Sequence, residues 1–163
     1  FEFKSKSEAK ISPLAMKLFE NEDVKNVFFG IDFITITKSE AIDWEIIKPD
    51  ILSKIMNFFS SGLPVINEGD ISENDDSSKK EVYNKKDLKI VEHIKELLEE
   101  KIRPAVAQDG GDIRFVKFED YIVFLELRGS CAGCPSSTLT LKSGIENMLK
   151  YYIPEIKSVE AVN

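Results

Sequence analysis

Leu127-Arg128-Gly129-Ser130-Cys131-Ala132-Gly133-Cys134-Pro135 joins a run that reads as a β-strand to one that reads as an α-helix, and it holds both cysteines of the chain. Two thiolates three residues apart can hold one edge of a metal centre or form one redox disulfide. They cannot complete a four-ligand thiolate site, and the chain adds only one His. Either the missing ligands come from a second molecule or the pair is not a metal site. Cys134 falls at the start of the helix, where free N–H groups and the dipole lower a thiol's pKa from about 8.5. Gly129 and Gly133 allow close approach of a bulky inorganic group, Ser130, Ser136 and Ser137 offer donors to sulfur, and Pro135 presets the start of the helix. The loop as a whole is expected to lie outside the hydrophobic cores.

Upstream of this stretch, Ile113 to Phe118 and Tyr121 to Leu127 alternate as strands around a Glu119-Asp120 turn, which predicts a hairpin. Asp109-Gly110-Gly111-Asp112 breaks the chain before it. Asp87 is read as the cap of a helix with Leu88, Val91, Ile94, Leu97 and Leu98 on one face, bent or ended by Pro104. Downstream, a helix over 136–152 carries Leu139, Leu141, Ile145, Met148 and Leu149, Pro154 stops it, and Ile156 to Val162 closes with a strand.

The first part of the chain repeats the order helix, hairpin, helix. Ser12-Pro13 starts a helix to about Glu20, and Val24–Phe29 and Phe33–Thr37 flank the turn at Gly30-Ile31-Asp32. Asp43 then caps a longer helix with Trp44, Ile47, Ile51, Ile55 and Phe58/Phe59 as its apolar positions, in which Pro49 can start a second segment. Trp44 is read as an anchor of that helix. Between Asn67 and Lys86 the apolar pattern collapses, so residues 67–86 are expected to be a flexible polar linker between lobes at 1–66 and 87–163. The expected fold class is α+β: two small sandwich-like lobes, each a small sheet with helices packed on one face.

Composition narrows the function. The 163 residues carry a net charge of −7, divided as −4 over residues 1–70 and −3 over 87–163, and neither part has a basic stripe. This argues against binding a nucleic-acid backbone or an anionic membrane surface. No apolar run approaches the roughly 20 residues needed to span a bilayer, and two close cysteines do not make a secreted disulfide framework, so a reducing compartment is expected.

Asp109-Gly110-Gly111-Asp112, the two strands, and Gly129-Ser130-Cys131-Ala132-Gly133-Cys134-Pro135-Ser136-Ser137 together resemble the C-terminal domain of the NifU-like (Nfu) iron-sulfur cluster carriers. The resemblance covers about 87–163. The first lobe resembles the N-terminal domain of the same carriers through Ser12-Pro13-Leu14-Ala15, Leu18-Phe19, Val27-Phe28-Phe29-Gly30 and Asp32-Phe33-Ile34-Thr35. That domain usually begins with a segment bearing a Thr-Pro-Asn-Pro motif, and Phe1 falls after it, so the first strand is expected to be truncated. The resemblance implies that Cys131 and Cys134 ligate a 4Fe-4S cluster shared between two protomers, which would answer the ligand shortage by symmetry. It further implies a non-catalytic scaffold and carrier that receives a cluster from upstream assembly machinery and passes it to apo client proteins by ligand exchange. The compartment would be the bacterial cytoplasm or the mitochondrial matrix, and the first lobe would supply partner contacts and no cluster ligand.

Three rival readings use the same residues differently. A thiol-disulfide oxidoreductase also places CxxC at a helix N-terminus, but thioredoxin-like sites sit in a βαβ context with a later cis-Pro, whereas here a hairpin precedes the motif and only Pro154 follows. A zinc-bridged dimeric interaction module using the same four thiolates is chemically allowed, zinc being a substitute metal. A pure interaction module would leave the cysteines without purpose. His93 is read as a surface or packing residue, and Asp109 and Asp112 as turn and capping residues instead of a cation site.

Overall fold

The computed structural model describes residues 1–67, 69, 82–132 and 135–162, with 135–137 described in backbone only. It forms two compact units, Phe1–Asp76 and Ser77–Asn163, each with its own apolar core. Both units combine one three-stranded sheet with helices, which makes the fold α+β as the sequence predicts.

In the first unit, β1 (Glu2–Phe3), β2 (Val24–Phe29) and β3 (Ile34–Lys38) form an antiparallel sheet in that order. β1 is only two residues long, paired Glu2↔Phe28 and Phe3↔Val27, yet Phe3 is buried and sets its ring edge-on to Phe29 at 5.6 Å. Helix α1 (Pro13–Leu18) starts at Ser12, whose fully buried hydroxyl accepts from the Ala15 N–H at 3.0 Å and donates to the Val65 carbonyl at 2.6 Å. One side chain thus caps a helix and pins the chain that leaves the next one.

Helix α2 (Trp44–Ser60) runs through Pro49 as a single element, so Pro49 starts no second segment. At the sixth position of the helix it lacks a single donor, the N–H that would otherwise pair with the carbonyl of Glu45. Ile47, Ile51 and Phe58 are buried and Ile55 packs beside them. Trp44 and Phe59 are not core residues: they are 43% and 56% exposed, and Trp44 meets the Lys38 ammonium at 6.0 Å instead of anchoring the helix.

In the second unit the cap of α3 (Lys85–Leu97) is Asn84, not Asp87. The Asn84 carboxamide oxygen accepts from the N–H groups of Lys86 and Asp87 and its NH2 donates to the Asp87 carboxylate, at 3.0, 2.8 and 2.8 Å. Lys85 and Lys86, read as linker, form the first turn; residues 68 and 70–81 of that segment lie outside the described residues. A π turn over Leu98–Ile102 passes α3 into α4 (Arg103–Gln108). Pro104 offers no N–H and its ring crowds the carbonyl four residues back, and the wider turn accommodates both effects.

β4 (Gly111–Glu119) and β5 (Ile122–Gly129) form an antiparallel hairpin, α5 (Pro135–Tyr152) crosses over, and β6 (Ser158–Val162) pairs with β5 in parallel. The hairpin turn is Asp120-Tyr121, one residue beyond the expected place, with φ of 52° and 62°. Those angles define the two-residue turn whose twist suits a hairpin. Tyr121 tolerates the left-handed backbone because its ring stacks edge-on to Phe118 at 5.9 Å and its carbonyl accepts from the Lys157 N–H at 2.7 Å. Along β5 burial alternates, with Val123, Leu125 and Leu127 inward against Ile94, Leu97, Ile145 and Leu149. One N–H on each edge strand is taken by a side chain: the Phe118 N–H of β4 donates to the Tyr83 hydroxyl at 3.1 Å, and the Val159 N–H of β6 donates to the Glu146 carboxylate at 3.0 Å.

Candidate functional site

Two glycines in left-handed conformation bring the cysteine loop against the start of the hairpin. Gly110 (φ 77°) turns α4 into β4 and Gly129 (φ 62°) turns β5 into the loop. Neither angle suits a residue with a side chain. The register places Gly111 opposite Gly129 and Asp112 opposite Arg128, so the Asp109–Asp112 turn lies beside the loop that follows β5. Ser130 locks the two together, its N–H donating to the Gly110 carbonyl at 3.2 Å and its hydroxyl to the Asp109 carbonyl at 2.5 Å. From the far side, the Thr138 hydroxyl of α5 donates to the Cys131 carbonyl at 3.0 Å.

Cys131 sits inside this frame with 7% of its surface exposed, counted among the core side chains of the unit. The expectation that the loop lies outside the hydrophobic cores is therefore wrong at Cys131. The physical reason is Gly111. A β-carbon there would overlap the Cys131 Sγ, so the glycine leaves a hollow that the sulfur fills. Burial pushes the Cys131 thiol up from its ordinary range, the Ser130 hydroxyl draws it partly back, and the Asp109 and Asp112 carboxylates add to the upward push. A protonated, shielded thiol is a poor nucleophile. Cys134 and Gly133 lie outside the described residues, as do the side chains of Ser136 and Ser137, so the expected depression of the Cys134 pKa falls there too.

The acidic turn is held by a pair that the sequence reading did not find. Arg103 forks onto Asp112, with Nε and Nη2 at 2.9 and 3.1 Å from its two carboxylate oxygens, and reaches Glu99 through Nη1 at 2.6 Å. A bidentate guanidinium fixes orientation as well as charge. Asp112 thus acts as the anchor of β4 against α4, which is neither a turn nor a capping role. The nine-residue separation bridges two elements, and only their docking makes it visible. His93 is exposed on α3. Among the described residues no group of three or more His, Cys, Asp or Glu stands close enough to hold a metal ion, and no helix is long and apolar enough to cross a membrane.

The geometry also bears on the redox alternative. The motif does lie in a βαβ unit, β5–α5–β6, so that part of the argument against an oxidoreductase falls, while the hairpin before the motif stands and no cis peptide bond occurs among the described residues. Cys131 supplies a better argument. The first cysteine of a thiol-disulfide site must be an accessible thiolate, and here it is buried with its pKa pushed up.

Two family models match the chain, one described as NifU-like domain over residues 94–160 and one as scaffold protein Nfu/NifU N terminal over residues 1–62. The chain belongs to the Nfu family, carrying the N-terminal domain first and the NifU-like domain after it. Among its relatives is the human protein named NFU1 iron-sulfur cluster scaffold homolog, mitochondrial, 51% identical over 162 residues that make up 99% of this chain and 61% of the human one. Proteins of the same name from Drosophila willistoni and Drosophila persimilis are 48% and 49% identical over 168 residues, again 99% of this chain and 54% and 55% of theirs. The chain therefore spans a little over half the length of these relatives. All three are named as mitochondrial, so the bacterial cytoplasm finds no support among them.

Proposed function

We propose that this chain is a non-catalytic iron-sulfur cluster scaffold and carrier working in the mitochondrial matrix. Cys131 and Cys134 of one protomer, with the same pair of a second, hold a 4Fe-4S cluster as cargo. The observation that carries the reading is the ligand shortage: two cysteines in the whole chain, with no group of three or more His, Cys, Asp or Glu placed to hold a metal ion among the described residues. A two-fold dimer supplies the other two thiolates.

The buried thiol fits this role. Without metal, desolvation keeps Cys131 protonated and protected; a metal centre reverses that balance, because its own charge favours the thiolate. A cluster held at a seam between protomers is then released when the cysteines of an apo client replace those of one protomer. Zinc is the expected substitute in the same four-thiolate setting. Family membership supports the scaffold reading, as do the printed names of the relatives. Upstream assembly proteins and apo clients are the partners that follow from it, while the acidic composition gives no support for nucleic acid or an anionic membrane.

Anaerobic reconstitution with iron and sulfide, followed by Mössbauer spectroscopy and sedimentation, tests the proposal. The expected product is a dimer with about two irons per chain that returns toward monomer when the cluster is chelated. A stable cluster on a strictly monomeric chain, without added thiol, would overturn it.

A further inference from the structure

Arg103 and Asp112, nine residues apart, close a clamp across a pliable joint of the second unit. Between them the chain leaves α4, passes Gly110-Gly111 and enters β4. Two consecutive glycines leave the backbone free to swing, so the angle between helix and strand needs a restraint from outside the joint. The guanidinium supplies it, with Nε at 2.9 Å and Nη2 at 3.1 Å from the two carboxylate oxygens. Its third bond goes to Glu99, whose side chain is 64% exposed, against 27% for Asp112. Exposed pairs contribute little, so the fork on Asp112 is the restraint that counts.

The clamp has a firm base. Arg103 follows the π turn Leu98–Ile102 and its N–H donates back to the Leu98 carbonyl, while Leu98 and Ile102 are buried in the core. The other end adjoins the cysteine loop. Asp112 follows Gly111, whose missing β-carbon leaves the hollow that the Cys131 sulfur fills. Just before it, the Asp109 and Gly110 carbonyls accept from the Ser130 hydroxyl and N–H. Hollow and carbonyls therefore lie on the segment that the clamp fixes. We propose that Arg103 is a positioning residue for Cys131: its fork on Asp112 holds the glycine joint closed, and the closed joint keeps the thiol seated and shielded. The shielding stands on this geometry alone, and its consequence for cluster retention rests on the proposed function.

The test is the rate at which iodoacetamide alkylates Cys131 in the reduced, metal-free full chain, read by mass spectrometry from fragment ions that separate Cys131 from Cys134. Arg103→Lys keeps the charge and cannot fork. It should raise the Cys131 rate at least about tenfold, as expected for loss of a charge-assisted hydrogen bond, with the circular dichroism unchanged. Glu99→Gln leaves the fork in place and should not change the rate. Glu146→Gln weakens the unit at β6, away from the joint, and should change the rate only as far as its lower stability requires. In Arg103→Lys the rate should be independent of urea below the unfolding transition, the mark of a local opening. On the wild-type chain, which needs no variant, the Ser130 N–H should exchange with solvent as slowly as its neighbours in the β4–β5 ladder. After reconstitution, Arg103→Lys should lose iron to a chelator faster than wild type. The proposal is overturned by equal Cys131 rates in wild type and folded Arg103→Lys, by an equally fast rate in Glu99→Gln, by a rate that climbs with urea along the unfolding slope, or by a Ser130 N–H that exchanges as an unbonded amide. Faster alkylation with unchanged iron loss would overturn the consequence for cluster retention. A wild-type chain that takes up no cluster would count against the proposed function alone, because the alkylation rates still decide the role of Arg103.

Discussion

Cys131 and Gly111 share one space: the sulfur of the first occupies the position that a β-carbon of the second would take. The backbone of Gly111 is not in the left-handed region, so the constraint at this position is steric. Gly111→Ala should therefore destabilise the second unit by about 1–3 kcal/mol, the usual cost of overfilling a packed site. It should also displace Cys131 and reduce cluster retention. Chemical unfolding together with iron content after reconstitution checks both, and an unfolding midpoint and iron content equal to wild type would refute the steric argument.

The two cysteines should separate when stability and cluster binding are measured independently. Cys131→Ala and Cys134→Ala should both abolish cluster retention. Cys131→Ala should also cost about 1 kcal/mol of stability, because it empties a filled position in the core. His93→Ala, on the exposed face of α3, should change neither property. Loss of the cluster in the His93 variant with normal circular dichroism would overturn the ligand assignment.

What the sequence showed, and what it did not, follows the range of the interaction. The hairpin, α5 and the break at Asp109–Asp112 were legible because turn chemistry and apolar spacing are local signals. The α3 cap differs from the expected one because Asn84 and Asp87 are both good capping residues, and it is the Asn84 carboxamide oxygen that takes free N–H groups of the first turn. Trp44 and Phe59 fit a helical apolar pattern, but α2 is covered on one side only. The site was legible as a motif and not as an environment. Nothing in a CxxC spacing says that the first thiol is buried, since that depends on a glycine twenty positions earlier meeting it across the register.

Glu146 gives a pH dependence of known sign. The carboxylate accepts from Lys150 at 2.6 Å and from the Val159 N–H at 3.0 Å, and these bonds, Lys150 first, lower its pKa from 4.5. A carboxylate with a depressed folded pKa adds stability that is fully present above its unfolded pKa and is lost as pH falls through the folded one. Glu146→Gln should cost about 0.5–1 kcal/mol at neutral pH, modest because the pair is partly exposed. The gap in urea midpoint between wild type and variant should hold steady through neutrality and close in acid, so a gap that widens in acid would contradict the assignment.

Removal of residues 1–67 should separate assembly from delivery. The two units have separate cores, and both cysteines lie in the second, so the shortened chain should fold and take up a cluster at close to the full-length yield. Delivery should suffer if the first unit contacts clients, as the likeness to the Nfu N-terminal domain implies. A tethered contact acts by raising the client's effective concentration near the cluster. The deficit should therefore be largest at low client concentration and shrink as the client approaches saturation, which transfer kinetics over a range of client concentrations would resolve. Equal rates with and without the first unit below saturation would remove it from delivery, and an equal deficit at every concentration would point to a change in the cluster site itself.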